Sequence, residues 1–346
     1  MLDSPGSEIA LANDRRMRIP YDHLRSQIST LLERRGVASS ASRITAEILL
    51  EAEARGYPSQ GVSRVKQICE FLDRRILLPD ISFETIAPCP SARIMVANRS
   101  LGHPVALNAV DAAVAIAESH GIGCVGVRGA GHIGYLTYYA ERAARAGMFC
   151  IATTVSSPAV VLPNSNRCLL GTNPVAFAFP TTKELFCADF STAEVSRGVV
   201  IAHAEKSVSF TREVGVDSNG KPTKDANQML EGGISPLGSG IKGVFLNVLF
   251  GMLAGPLIGG VPNHLVSETH WPTAEPNKGD WFLCFNIAMF CDQKKFKDGT
   301  AQFLSTLMQM SPGLHVPGHF SRQRMAHVLE YGFEASDKMS QVMAMT

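Results

Sequence analysis

The sequence predicts a layered α/β fold with a helical region in front of it. Three observations predict this. From about residue 80, short β-rich runs (I-S-F-E-T-I-A, A-R-I-M-V-A, G-C-V-G-V-R, F-C-I-A-T-T-V, A-F-A-F-P) alternate with helical patterns. Before residue 80, apolar residues recur only at helical spacing. And 45% of the 346 residues are hydrophobic against 18% charged, which is apolar material for a large core.

Residues 1–17 show no periodic pattern and read as loosely attached. The opening M-L-D-S-P-G-S-E-I-A-L-A-N-D-R-R lacks a basic segment followed by an apolar one, so no signal peptide is expected. A first helix is predicted over about 21–35, with Leu24, Ile28, Leu31 and Leu32 on one face and Gly36 as its stop. A second is predicted over 41–55 on Ile44, Ile48 and Leu49, ending before Gly56, and a third over 61–76. Between the second and third, Pro58, Ser59 and Gly61 build a turn. Among the β-rich runs, helices are predicted at 104–119 (Val105, Ala109, Ala112, Ile116) and 134–146. Beyond about 200 the pattern weakens. D-S-N-G-K-P-T (217–223) is a turn, W-F-L-C-F-N-I-A-M-F (281–290) a strand or a buried helix, and Q-F-L-S-T-L-M-Q-M and R-Q-R-M-A-H-V-L-E-Y-G are helical. The apolar stretch 244–262 is long enough to raise a membrane span, but Gly255, Pro256, Gly259, Gly260 and Pro262 crowd its second half. It reads as a buried core helix ending in a glycine-rich loop.

A formal net charge of +1 supplies no field for nucleic acid or an anionic membrane, and pairs such as Arg34-Arg35 read as solvated faces. The 8 cysteines are dispersed without a C-x-x-C pair, several in apolar runs, as expected of free thiols in a reducing, cytoplasmic setting. Ten histidines show no paired ligand spacing and no H-E-x-x-H, so no metal is expected; no G-x-S-x-G suggests a hydrolase.

Gly129-Ala130-Gly131-His132-Ile133-Gly134 matches G-x-G-x-x-G between a predicted strand and a predicted helix. A dinucleotide fingerprint needs Asp or Glu about 20 residues on to hold the ribose. Here the next strand ends in T-T-V-S-S (153–157), with no carboxylate. Two other readings stand beside the fingerprint: a bare glycine-rich turn, and a family that uses this turn differently.

The segments G-V-R-G-A-G-H-I-G-Y-L-T-Y-Y-A (126–140), L-G-T-N-P-V-A-F (170–177) and A-D-F-S-T-A (188–193), with P-S-Q-G-V-S-R (58–64) and I-K-G (241–243), occur in the order found in the malate/L-lactate dehydrogenase family. The chain resembles that family over roughly 20–330. It includes ureidoglycolate and sulfolactate dehydrogenases and cyclic imino acid reductases, and is unrelated to the Rossmann-fold malate and lactate dehydrogenases. The resemblance implies a layered α/β/α fold with a largely antiparallel or mixed sheet, helical packing from both chain ends, NAD or NADP as cofactor, and a homodimer. It implies a helical part (1–80 with 296–346) on the substrate and dimer side, and an NAD(P)-binding part (81–295) with a helical insertion.

Hydride transfer to a keto acid needs a cation for the carboxylate, a proton donor at the carbonyl oxygen, and a nicotinamide about 3–3.5 Å from the carbon attacked. Arg64, about one helical turn beyond Ser59, is the expected carboxylate fork; its alternative is a surface arginine. Of the family's two histidines, the one after the turn serine is Gln60 here, which can hydrogen-bond a carbonyl but not protonate it. His132 holds the other position and is the expected acid/base, or a cofactor contact. Ser59 is expected to relay a proton or bind the substrate oxygen, or else to cap the third helix. Asp189 orients a catalytic group, holds the cofactor, or caps a helix. Thr172 and Asn173 are expected to face the substrate or the nicotinamide amide, or to form a bare turn. The resemblance places the cofactor against His132, Ile133, Gly134, Ser156, Asp189, Phe190, Ser191 and Lys242, the last either to neutralise a phosphate or else to stand as a solvent-exposed loop lysine. Departures near Asp217, after Gly243 (Val244-Phe245) and at Pro317-Gly318-His319 touch cofactor affinity more than fold. The expected activity is on a malate-, lactate- or sulfolactate-like acid. The alternatives are a cyclic imino acid reductase and a catalytically impaired member with a binding or structural role.

Overall fold

The computed structural model describes residues 18–267, 269 and 274–345. The expectation for residues 1–17 lies outside the described residues, as does His270. Strand β1 (Arg18–Ile19) leads into α1 (Tyr21–Glu33) and α2 (Ser39–Ala54), then two 3-10 turns (Pro58–Gln60 and Val62–Arg64) and α3 (Val65–Asp73). Leu24, Ile28, Leu31 and Leu32 are buried on one face of α1, as their spacing requires. The predicted third helix is split: its first turn is the 3-10 turn that ends at Arg64.

Next come β2 (Phe83–Cys89), β3 (Ala92–Ala97), α4 (Gly102–His120), β4 (Ile122–Arg128), α5 (Thr137–Arg145) and β5 (Met148–Thr154). Helix α4 is rich in alanine on its buried side and stops at Gly121, whose φ is +81°. Helix α5 begins at Thr137, three residues later than the pattern predicts, because Gly134 is spent on a loop conformation with φ +78°.

The chain then runs through β6 (Val160–Val161), β7 (Cys168–Leu170), β8 (Val175–Phe179), β9 (Phe186–Phe190), α6 (Arg197–Glu205), β10 (Gly215–Val216), β11 (Pro222–Thr223), α7 (Ala226–Glu231), β12 (Gly233–Ile234) and α8 (Ile241–Leu253). The last part is β13 (Gly279–Asn286), α9 (Ile287–Phe290), α10 (Gln293–Met310), α11 (His319–Tyr331), β14 (Phe333–Glu334) and α12 (Asp337–Ala344).

Seven strands form the main sheet in the order β2-β3-β4-β13-β5-β8-β9. Only β3 and β4 pair in parallel; every other neighbour is antiparallel. The sheet is therefore mixed and largely antiparallel. Alternation along β13 shows the layering: Phe282 and Cys284 face the core under α4 and α5, while Trp281 and Leu283 face Ala254, Ile258 and Val266. Strand β1 pairs with β14, and Met339 and Val342 of α12 join the core of α1, α2 and α3. The segment between β5 and β13 also carries a small sheet, β11-β10-β12-β6-β7, beside α6, α7 and α8.

Glu141 of α5 is buried and receives Arg55 through both guanidinium nitrogens (3.2 and 2.9 Å), Arg145 at 2.7 Å and Arg322 of α11 at 2.8 Å. Burial works against its charge, but Arg55, Arg322 and Arg145 outweigh that and hold the carboxyl below the usual range. Helix α8 corrects the expectation of a buried core helix. Gly243, Val244, Asn247 and Gly251 face inward, but Ile241 (55% exposed), Phe245 (65%) and Leu249 (50%) form an apolar stripe facing out. Within Ile241–Ile258, long and apolar enough to cross a membrane, 39% of residues are buried. The pattern had enough apolar residues for two faces, and the glycines and Asn247 took the inner one.

Candidate active site

One cavity of about 610 Å³, open mouth included, lies where four segments meet. They are the start of α3, the head of α4, the loop between β4 and α5, and the approach to β13. Arg64, Phe71, His103, His132, Asn277 and Lys278 line it. Its size and mixed polar and apolar walls suit a small ligand.

Arg64 is 6% exposed and anchored locally: Nε donates to the Ser59 carbonyl at 2.8 Å and Nη1 to Gln67 Oε1 at 2.9 Å. The 3-10 turn makes this possible by folding residue 64 back over residue 59. His132 stands opposite, on the loop after β4. The Gly134 N–H donates to its Nδ1 at 3.0 Å, so the neutral ring carries its proton on Nε2.

The cavity also holds residues that sequence reasoning passed over. His103, the second residue of α4, is 1% exposed, with its ring centroid 6.5 Å from that of His132. Neither ring nitrogen has a protein partner among the described residues. Burial, then the charges of Lys278 and Arg64, push its pKa down to about 3. Lys278 is buried and ion-paired with the buried Asp280 at the start of β13. The sequence signal for His103 was a polar residue inside the first turn of an apolar helix; for Lys278 and Asp280 there was none before β13 was placed.

Several expected site residues lie elsewhere. Ser59 packs against Gly198 of α6, and Gln60 buries its Oε1 without a protein partner among the described residues; neither lines the cavity. Asp189, near the end of β9, accepts from the backbone N–H and the hydroxyl of Thr137, both at 2.9 Å. It caps the first turn of α5. Loss of water around it pushes its carboxyl up, against those hydrogen bonds.

Asn173 is fully buried. Its amide nitrogen donates to Asn247 Oδ1 at 2.8 Å and Asn263 Oδ1 at 2.5 Å, and its oxygen accepts the Ser156 N–H at 3.3 Å. Its side chain is committed to the protein. Thr172 and Ser156 share a hydroxyl contact at 3.2 Å, and Ser191 donates to the Thr172 carbonyl at 3.0 Å. Helix α8 crosses this cluster through Asn247, with Lys242 exposed in its first turn. Ile133 is buried, and Phe190 is exposed on the edge between Asp189 and Ser191.

The G-x-G-x-x-G turn is not a pyrophosphate cradle. A Cβ on Gly129 would lie 2.7 Å from the Ala97 carbonyl, and one on Gly134 would lie 3.3 Å from the His103 ring. These glycines serve contacts within the protein. The helix that follows has its N-terminus occupied by the Asp189 carboxylate, which repels a phosphate there.

A nicotinamide dinucleotide nevertheless fits the residues present. The buried ring nitrogens of His103, without protein partners among the described residues and in the same cavity as Arg64, offer hydrogen bonds to a bound group. The exposed Phe190, next to Ser191, offers a ring face, and Lys242, exposed in the first turn of α8, offers a cation.

The model of the family described as malate/L-lactate dehydrogenase matches residues 19–344. The malate/(S)-sulfolactate dehydrogenase of Methanothermus fervidus is 30% identical over 93% of this chain and 95% of its own. The NAD(+) ureidoglycolate dehydrogenase of Escherichia coli O157:H7 is 28% identical, covering 94% of each. The NADP(+) (2R)-3-sulfolactate dehydrogenase of Chromohalobacter salexigens is 27% identical over 86% and 90%. Among solved structures, a dehydrogenase from Sinorhizobium meliloti superposes with TM-score 0.88 at 30% identity, over 95% of this chain and 98% of that one. The delta1-piperideine-2-carboxylate reductase of Pseudomonas syringae shares the fold, with TM-score 0.88 at 21% identity over 95% and 100%.

Proposed function

The chain belongs to the malate/L-lactate dehydrogenase family, and from that premise we propose that it transfers a hydride between NAD(P)H and a small 2-keto or 2-hydroxy acid in the cavity walled by Arg64 and His132. One observation supports this above the rest. A guanidinium suited to a carboxylate and an imidazole suited to a carbonyl oxygen, far apart in sequence, line the same small cavity.

The bound nicotinamide supplies the hydride; the chain supplies binding and polarisation. Arg64 receives the carboxylate. His132 holds its proton at Nε2 and presents it to the substrate oxygen. Asp189 acts through position: by capping α5 it fixes the end of the loop that bears His132. The cofactor is assigned to that loop (His132, the Ile133 backbone, Gly134), to the β9 edge (Asp189, Phe190, Ser191) and to Ser156 and Lys242. Ser59, Gln60, Thr172 and Asn173 then stand behind the site and support it. Relatives named for NAD(+) and for NADP(+) both occur, so either dinucleotide is in scope. Relatives named for malate, sulfolactate and ureidoglycolate support a hydroxy acid bearing a second polar group.

We further propose a cytoplasmic homodimer outside the membrane. All eight cysteines are free, which favours a reducing compartment. The stripe of Ile241, Phe245 and Leu249 is an apolar face for a second copy of the chain.

The test is a panel of oxaloacetate, sulfopyruvate, pyruvate and a cyclic imine carboxylate with NADH and NADPH, followed by nicotinamide absorbance. Turnover of a keto acid that is lost in Arg64→Ala and His132→Ala supports the reading. Oxidation of NAD(P)H by the cyclic imine alone moves the substrate to a C=N bond. A chain that binds neither dinucleotide is the impaired member that Gln60 raised as an alternative.

A further inference from the structure

We propose that His103 is a specificity-determining residue that touches the substrate, hydrogen-bonding a polar substituent other than the carboxylate received by Arg64. The inference rests on the reading above and deepens it.

Buried polar side chains nearly always find partners, because leaving water without one is costly. His103 is 99% withdrawn from solvent, yet both ring nitrogens lack a protein partner among the described residues. A core histidine would be satisfied by the backbone or a carboxylate. This one instead lines the cavity, at the head of α4. The surroundings are built to seat it. Gly134, at φ +78°, places no side chain where a Cβ would lie 3.3 Å from both Cδ2 and Nε2 of the ring. On its other sides are His132 and the cationic Arg64 and Lys278, the last paired with Asp280.

Two positive neighbours and burial keep the ring neutral, so it offers one donor and one acceptor. A carboxylate, sulfonate, hydroxyl or amide on the carbon beyond the keto group satisfies it. A methyl group leaves it unpaired, and sites with buried hydrogen-bonding groups reject analogues that cannot pair with them. The substrate class is therefore a 2-keto or 2-hydroxy acid carrying a third polar group, not a simple alkyl keto acid.

The experiment compares kcat/KM of the whole protein with oxaloacetate and sulfopyruvate against 2-oxobutyrate, pyruvate and a cyclic imine carboxylate. It uses wild type, His103→Phe and His103→Gln, and measures melting temperature without substrate. Wild type is expected to prefer a polar-substituted acid. His103→Phe should lose about 10–100-fold on that substrate and less than about threefold on 2-oxobutyrate. His103→Gln, which keeps a donor and an acceptor, should recover part of the loss. The melting temperature of His103→Phe should not fall. An unchanged polar-to-alkyl ratio in His103→Phe, or a wild-type preference for an alkyl keto acid or the cyclic imine, overturns this inference and leaves the oxidoreductase reading intact. Equal losses on every substrate with a lowered melting temperature overturn it in favour of a structural histidine. No turnover by wild type with any of them overturns both.

Discussion

The backbone N–H of Gly134 donates to Nδ1 of His132 at 3.0 Å, and this one bond decides which nitrogen of the ring holds the proton. It also ties the ring to a position where only glycine is comfortable, since Gly134 has φ +78°.

His132→Ala should therefore lower kcat by about 10²–10⁴-fold, the usual worth of a positioned acid or base. Gly134→Ala should lower it too, by straining the backbone that aims the ring. Gln60→His should change kcat far less than either, because Gln60 does not line the cavity. Steady-state kinetics on the three variants checks the ordering.

Arg64→Lys keeps the charge and loses the fork. Nε can no longer hold the Ser59 carbonyl, nor Nη1 the Gln67 amide. A charged hydrogen bond contributes about 1.5–3 kcal/mol, so KM for the acid should rise by roughly 10–150-fold. kcat should move less, and dinucleotide binding measured by calorimetry should not change.

Glu141 is the knot between α5, the end of α2 and α11. Glu141→Gln leaves Arg55 buried with only Glu51 to pair it, and should cost about 3–5 kcal/mol in denaturant unfolding. In the wild type its folded pKa is depressed. The stability it contributes is present above the unfolded value, about 4.3, and is lost as pH falls through the folded one. The variant should lack that acid limb.

His103 also makes the fold less stable as pH falls. Its folded pKa of about 3 lies below the ordinary histidine value near 6.5. Between the two, the unfolded chain binds one proton more than the folded chain, so stability rises with pH, by at most about 1.4 kcal/mol per unit. Lys278 and Arg64 oppose its protonation, and the neutral His132 ring faces it. The difference in unfolding free energy between wild type and His103→Phe should show this slope below about pH 6.5. A flat difference would mean that the ring is protonated in place.

Phe245→Glu puts a charge in the middle of the α8 stripe. Analytical ultracentrifugation should find the wild type dimeric and the variant shifted to monomer, with little loss of helical signal.

Much of this was legible in the chain before it was folded. Helix α4, strands β2, β3, β4, β5 and β8 and the turn before Arg64 follow from periodicity and turn chemistry, and they carry Arg64 and His132 to the cavity. Three things were not legible. W-F-L-C-F-N is apolar on both faces, so its period could not distinguish a strand between two layers from a buried helix. Thr172 and Asn173 looked like a polar turn open to a ligand, because the partners of Asn173, Asn247 and Asn263, lie 74 and 90 residues away. His103 was set aside with histidines that lacked metal spacing, since its distinction is the absence of a protein partner, a property that only packing reveals.

The central place of β13 has a consequence for how the protein is made. Strands β4 and β5 emerge early in synthesis but do not pair with each other; each waits for Gly279–Asn286 to come between them. Until then two strand edges stay open, a state in which nascent chains are prone to stick to one another. The same late segment delivers Lys278 and Asp280, so a ribosome that stalls before it leaves a chain without a closed sheet and without one wall of its cavity.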